Sequence, residues 1–417
     1  MIRQIELAVV ATLLAACSPA PTQTERIEEP ASETYAPGGV TAMTLLELAT
    51  ALRNGEVSAE AATQAYLDRI EKIDRNGPTL QAIIAINPTA LDDARALDAK
   101  RAAGEPLGAL HGVPILLKDN IESADPMATT AGSIALINNV TGRDSPLVAG
   151  LRAEGAVILG KTNMSEWANF RSNDSLSGWS GVGGQVKNPH MLDRNPCGSS
   201  SGSGAAVAAS LAAGAVGTET NGSIICPSNV NGIVGFKPST GLVSGKYIVP
   251  ISPVQDTAGP MTKTVTGAAM MLNAMATGEA KTDYVAALDA DSLKGARIGV
   301  LRFSVGENPD INEKFDAALT TLGDAGAVLV DIGSFDLATE NYGDKSLAVL
   351  EYEFKASLND YLADAAPEVR IRTLHDLIAF NAHTERELAL FDQRLFLESE
   401  AKGGLNEPEY VCPRAPI

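Results

Sequence analysis

Apolar residues along this chain follow two rhythms. In the first hundred positions they recur every three or four residues, the helical period. Thr44 with Glu47 forms a capping box that opens a helix ending near Gly55. Ser58 caps a second helix through about Arg75, with Leu67, Ile70 and Ile73 on one face, and a third helix is expected over about 89–103. Beyond that, short apolar runs alternate with helical stretches. The run "GVPILLKDNI" (112–121) reads as a buried strand ending at Lys118. Ser145–Pro146 is expected to cap a helix, with the strand "AVILGKTN" (156–163) behind it. A helix over 204–213 leads into a strand at 214–218, followed by "GIVGFKP" (232–238). A helix near 266–277, the strand "ARIGVLRF" (296–303), a helix near 311–324 and the strand "AVLVDIG" (327–333) continue the series. Alternation of this kind predicts one large α/β domain, a mixed central sheet covered by helices on both faces. Residues 334–417 are helical in pattern and carry no strand-like run.

The first residues obey neither rhythm. "MIRQIELAVVATLLAACSPAPTQTE" has a basic Arg3 and an apolar run from Leu7 to Ala16, too short to cross a bilayer, where about 20 apolar residues are needed. It reads as a secretory signal. "LLAAC" (13–17) resembles a bacterial lipobox, so residues 1–17 are expected to be a lipoprotein signal peptide, with Cys17 lipidated and serving as a membrane anchor. Ser18 after it points to the periplasmic face of the outer membrane. Residues 18–40, rich in Pro, Ser, Thr and Glu, are expected to be a disordered tether to a domain spanning 41–417.

Of the 417 residues 45% are hydrophobic and 20% charged, an ordinary globular balance, but the net charge of −19 repels phosphate backbones and argues against nucleic acid as a partner. Cys197, Cys226 and Cys412 match no metal-ligand spacing, and there are only four histidines (His111, His190, His375 and His383), so neither a metal nor an organic cofactor is expected. Cys197 and Cys226 flank two serine-bearing stretches; a disulfide between them and two packed thiols both remain open.

The stretch "GTETNGSIICPS" (217–228) sets Ser223 on a glycine-bearing turn after a buried strand. Such a serine is a candidate nucleophile, and a nucleophile needs a base. None of the histidines has a catalytic context. A buried lysine is an alternative, because desolvation favours its neutral form. Lys118 ends a buried strand, and "PCGSSSGSGAAVAAS" (196–210) opens a helix with adjacent serines. That stretch lacks the lysine-bearing phosphate-loop pattern. A lysine acting through a bridging serine would serve Ser223 without a histidine.

"GVPILLKDNI", "PCGSSSGSGAAVAAS" and "GTETNGSIICPSNVNGIVGFKPSTGLVS", in that order, resemble the amidase signature family, and "AEGAVILGKTNMSEW" (153–167) with "SPVQDTAGPMTKTV" (252–265) extends the match over about 80–330. "TETNGSIICP" looks most like bacterial peptide amidases. The resemblance implies Ser223 as nucleophile, Ser199 as a bridging serine preceded by a cis peptide bond, Lys118 as general base and Ser200 as a supporting hydrogen-bonder. It implies an oxyanion hole from the N–H groups of Thr220, Asn221, Gly222 and Ser223. Asn221 stands where many relatives have glycine, and Ile225 where many have arginine; asparagine tolerates left-handed backbone. Asp256 reads as a buried structural acid.

The implied activity is hydrolysis of carboxylic or peptide amides through an acyl-enzyme. Two rivals stand beside it. One is the glutamine-dependent component of an amidotransferase, against which an exported anchor argues. The other is a catalytically dead binding lipoprotein with the same fold. Family members continue through further strands, so the chain is expected to lack the last strands of its sheet through truncation or a frameshift.

Overall fold

The computed structural model describes residues 35–278, 281–334 and 341–414. The expected signal segment with Cys17, and the tether as far as residue 34, lie outside the described residues. The folded unit begins at Pro37. The last residues assigned to the tether therefore belong to the fold: Gly39–Thr41 form a 3-10 turn, and the Tyr66 hydroxyl donates to the Val40 carbonyl (3.4 Å).

Helix α1 (Leu45–Asn54) opens on the expected capping box, with Thr44 Oγ1 accepting from Glu47 N–H and the Glu47 carboxylate accepting from Thr44 N–H, and it ends at left-handed Gly55. α2 (Ala59–Arg69) is capped by Ser58 and runs on as a π-helical turn over Ile70–Asn76. Strand β1 (Ile83–Ile86) follows, then α3 (Ala90–Ala102), β2 (Pro114–Lys118), α4 (Pro146–Ala153) and β3 (Val157–Thr162). Ser145 makes no side-chain cap bond; Pro146 alone marks the start of α4. A ribbon of β4 (Trp179–Ser180) and β5 (Gly184–Gln185) leads to α5 (Ser201–Ala208), β6 (Gly214–Glu219), α6 (Ile225–Val230), β7 (Val234–Gly235), β8 (Thr257–Thr262) and α7 (Val265–Met275). Next come β9 (Arg297–Val300), α8 (Pro309–Asp324) and β10 (Val328–Asp331), then α9 (Tyr342–Ala363), α10 (Leu374–Ala382), α11 (Arg394–Glu400) and α12 (Pro408–Arg414).

The central sheet has the order β1-β3-β2-β6-β8-β7, with β2 parallel to both β3 and β6 and the outer strands antiparallel. Every residue of β2, β3, β6 and β8 is buried, so both faces of the sheet are covered. α5 packs on β2, β3, β6 and β8, and α7 on β7 and β8.

Two of these strands are not evident from the apolar pattern. β1 is a four-residue edge segment. β8 reads "TAGPMT", and proline argues against a central strand. Here Pro260 sits opposite Val216 while its carbonyl accepts from Phe236 N–H (3.1 Å), so the proline lacks a donor but keeps its acceptor in use. Gly259 is needed beside it: a Cβ there would stand 2.1 Å from the Phe236 carbonyl oxygen.

β9 and β10 form a separate parallel pair crossed by α8, with Val328 and Leu329 exposed. Among the described residues no strand follows β10. The later helices pack Phe354, Leu358 and Phe396 against Trp167 and Phe170 in a second apolar cluster. At its edge, buried Arg171 bonds to both Glu166 (2.5 Å) and Glu387 (3.2 Å).

Candidate active site

The C-terminal ends of parallel β2 and β6 lie side by side, which brings Lys118 next to Thr218. Lys118 Nζ is 2.7 Å from Ser199 Oγ, 2.9 Å from Thr218 Oγ1 and 3.2 Å from the Thr218 carbonyl. Lys118 and Ser199 are both wholly buried. Burial is the main influence on the amine and brings its pKa down to about 7, against the opposing charges of Asp256 and Glu219.

A neutral amine has two N–H donors and one lone pair. The two oxygens of Thr218 can take both hydrogens, which leaves the lone pair for the Ser199 hydroxyl. Thr218 Oγ1 also accepts from Asn120 Nδ2 (3.0 Å). Sequence reasoning missed Thr218, although it stands inside the stretch that carries Ser223.

Ser199 follows Gly198 through a cis peptide bond, and its carbonyl accepts from Ser165 N–H (3.0 Å). Ser200 ties two elements together. Its N–H donates to the Ser223 carbonyl (3.1 Å), its hydroxyl donates to the Thr218 carbonyl (3.1 Å), and its Oγ accepts from Thr218 N–H (3.2 Å). Helix α5 begins at this serine cluster, three residues before the expected start at 204, so the loop bearing Ser199 is anchored directly to β6.

Ser223 is 8% exposed, at the end of the turn that follows β6. The left-handed residue of that turn is Gly222 (φ 82), and Asn221 has no positive φ. The missing second glycine therefore asks nothing unusual of the asparagine. Of the four N–H groups expected as oxyanion donors, one is engaged within the protein. Gly222 N–H donates to Glu219 Oε1 (2.8 Å), which leaves Thr220, Asn221 and Ser223 as the N–H groups of the turn without an acceptor among the described residues.

Asp256 is the structural acid expected, though half-buried rather than buried. Its Oδ2 accepts from Ile251 N–H (2.7 Å) and Ser252 N–H (2.9 Å), its Oδ1 from the Thr220 hydroxyl (2.5 Å), and burial raises its pKa. Cys197 and Cys226 form a disulfide (Cα–Cα 5.9 Å), resolving the open pairing. The bridge joins the loop before Ser199 to the helix after Ser223. No histidine is hydrogen-bonded to Lys118, Ser199 or Ser223 among the described residues: His111 is buried ahead of the opposite end of β2, and His190 bonds to the Asn231 carbonyl.

A cleft of about 340 Å³ opens beside this arrangement. Asn120, Thr218, Glu219, Thr220 and Asp256 line its polar part, and Val243, Ile248, Val249, Pro250 and Ile251 its apolar wall.

These are the fold and site of an amide-hydrolase scaffold, and known proteins bear the same stamp. The amidase family model matches residues 61–398, so the chain belongs to the amidase family. The crystal structure of native peptide amidase from Stenotrophomonas maltophilia is similar at a TM-score of 0.85 and 48% identity, over 89% of this chain and 78% of that one. A probable amidase of Arabidopsis thaliana is 38% identical over 386 residues, 88% of this chain and 73% of its own length. A glutamyl-tRNA(Gln) amidotransferase chain of Acidothermus cellulolyticus is 42% identical over 302 residues, 70% of this chain and 57% of its own length. The chain thus spans between 51% and 73% of the length of several curated relatives that it matches.

Proposed function

We propose that the chain is a serine hydrolase of carboxylic amides, with peptide C-terminal amides as its preferred substrates. The observation that carries this reading is the buried 2.7 Å contact between Lys118 and Ser199 beneath the Ser223 turn. Neutral Lys118 accepts the Ser199 proton as Ser199 takes that of Ser223, and Ser223 Oγ attacks the amide carbon. The tetrahedral oxyanion is held by the free N–H groups of the turn at Thr220, Asn221 and Ser223. Rigid donors of this kind are worth about 2.7–4 kcal/mol each. The proton then returns through Ser199 to the departing ammonia or amine, and water hydrolyses the acyl-enzyme by the same relay.

The peptide preference rests on the likeness to peptide amidase over 89% of this chain. The cleft fits it: backbone-sized polar groups lie beside an apolar wall, and among the described residues its lining holds no cation that would select a free carboxylate. The test is labelling with a fluorophosphonate probe, followed by a screen of peptide amides, aryl amides, fatty amides and glutamine. Labelling lost in Ser223→Ala, with fastest turnover on peptide amides, is the expected result. An unlabelled Ser223 would identify a binding protein, and turnover of glutamine alone would favour the amidotransferase-like reading.

A further inference from the structure

Two charged residues outside the relay grip the Ser223 turn. Glu219, the last residue of β6, accepts from Gly222 N–H (2.8 Å) at Oε1, and from Ile224 N–H (2.7 Å) and Ile225 N–H (3.0 Å) at Oε2. Lys237, just beyond β7, donates from Nζ to the Thr220 carbonyl (2.7 Å) and stands 3.7 Å from Glu219 Oε1. One carboxylate and one ammonium thus hold main-chain groups at both ends of the segment 220–225.

The consequence is directional. With the N–H groups of Gly222, Ile224 and Ile225 drawn to one carboxylate, the turn cannot rotate those peptides toward a substrate. With the Thr220 carbonyl drawn to Lys237, the peptide joining Thr220 to Asn221 is fixed as well. The N–H groups of Asn221 and Ser223 are then held in place without an internal partner. Charge-assisted bonds suit this task because they are stronger than neutral ones, and donors fixed in advance need no reorganisation when charge develops.

We propose that Glu219 and Lys237 form a positioning clamp for the nucleophile turn, the carboxylate orienting its N–H groups while the ammonium secures the Thr220 carbonyl and balances the carboxylate. The proposal rests on Ser223 being the nucleophile. It separates the clamp from a simple cap on the short helix α6. A cap would act on stability. Lys237, whose side chain is 32% exposed and whose approach to Glu219 is loose, should matter little to stability and much to rate.

The experiment compares wild type, Lys237→Met and Lys237→Arg by amide hydrogen exchange, by kcat and KM on a peptide amide, and by thermal melting. In Lys237→Met, exchange over 220–225 should rise on the order of tenfold while distant strands keep their protection. Its kcat should fall roughly 10–100-fold with KM within about threefold of wild type. Lys237→Arg should restore most of both, and all three melts should agree within about 3 °C. Unchanged exchange over 220–225, or wild-type kcat in Lys237→Met, overturns the clamp. A wild type that turns over no amide would remove the hydrolase reading alone, because the exchange rates decide the clamp without any turnover.

Discussion

Lys118 Nζ and Ser199 Oγ meet at 2.7 Å with neither residue exposed to solvent. The contact can pass a proton only when the amine is neutral. Burial brings the Lys118 pKa to about 7, so kcat/KM should rise with pH along one limb centred near that value. A pH–rate profile checks it. A rate that is flat between pH 6 and 9 would remove Lys118 from the base role.

The same depressed pKa makes a stability prediction. Unfolded lysine titrates at about 10.4, whereas folded Lys118 titrates at about 7. Between those values the unfolded chain binds a proton that the folded chain does not, so this residue makes stability rise with pH across that window. Lys118→Met should be inactive yet folded. It should be more stable than wild type at pH 7, by up to a few kcal/mol, because an apolar side chain in place of a buried ionisable one removes that burden. The gap should narrow toward pH 10. Denaturant melts at both pH values provide the check, and a Met variant less stable at neutral pH would contradict it.

Thr218 offers its hydroxyl to Lys118 at 2.9 Å and to Asn120 at 3.0 Å. Thr218→Val keeps the volume and removes the acceptor, leaving the amine free to turn its lone pair away from Ser199. kcat/KM should fall about 10–100-fold, equivalent to roughly 1.4–2.7 kcal/mol, while Thr218→Ser stays near wild type. Steady-state kinetics on one peptide amide decides it, and full activity in the valine variant would show that the hydroxyl does not orient the base.

The disulfide from Cys197 to Cys226 closes a loop of 29 residues that contains both Ser199 and Ser223. Chain-entropy arguments give such a link about 3–4 kcal/mol. Reduction, or Cys197→Ala with Cys226→Ala, should lower the melting temperature by several degrees and slow amide turnover, with reoxidation restoring the reduced protein. Melting curves with and without reductant test this. Identical curves after proven reduction would mean that packing alone holds the two loops.

The stretch "LLAAC" motivates one prediction about residues outside the described part of the chain. Cys17→Ala should move the protein from the membrane fraction to the soluble periplasm of a bacterial host, because lipidation of that thiol is the proposed anchor. Cell fractionation reads the result, and an alanine variant still in the membrane pellet would reject the anchor.

The parts of this molecule legible in the sequence are those where chemistry and local pattern coincide. Lys118 closes an unbroken apolar run, and Ser199 and Ser223 sit in unusual serine- and glycine-bearing stretches, so their neighbourhood could be anticipated. Thr218 and Glu219 were in plain view but silent, because a threonine and a glutamate in a strand have many ordinary uses. A carboxylate closing a buried strand four residues before the candidate nucleophile was the available signal. β8 was hidden by Pro260, whose carbonyl accepts from Phe236 N–H. Lys237 could not be placed from pattern at all, since its partner at Thr220 is brought near only by the pairing of β6, β8 and β7.

Arg171 bonds to Glu166, five residues away, and to Glu387, 216 residues away. That spacing sets a clock on the ribosome. At roughly 5–20 residues per second, synthesis runs on for about 10–45 seconds after the guanidinium is made before its second carboxylate exists. Until then Arg171 has only one of its two carboxylate partners and every reason to keep its water. The space beside the Trp179 ring, which the guanidinium faces, is therefore late to dry, and its sealing waits on a glutamate that the ribosome has yet to reach.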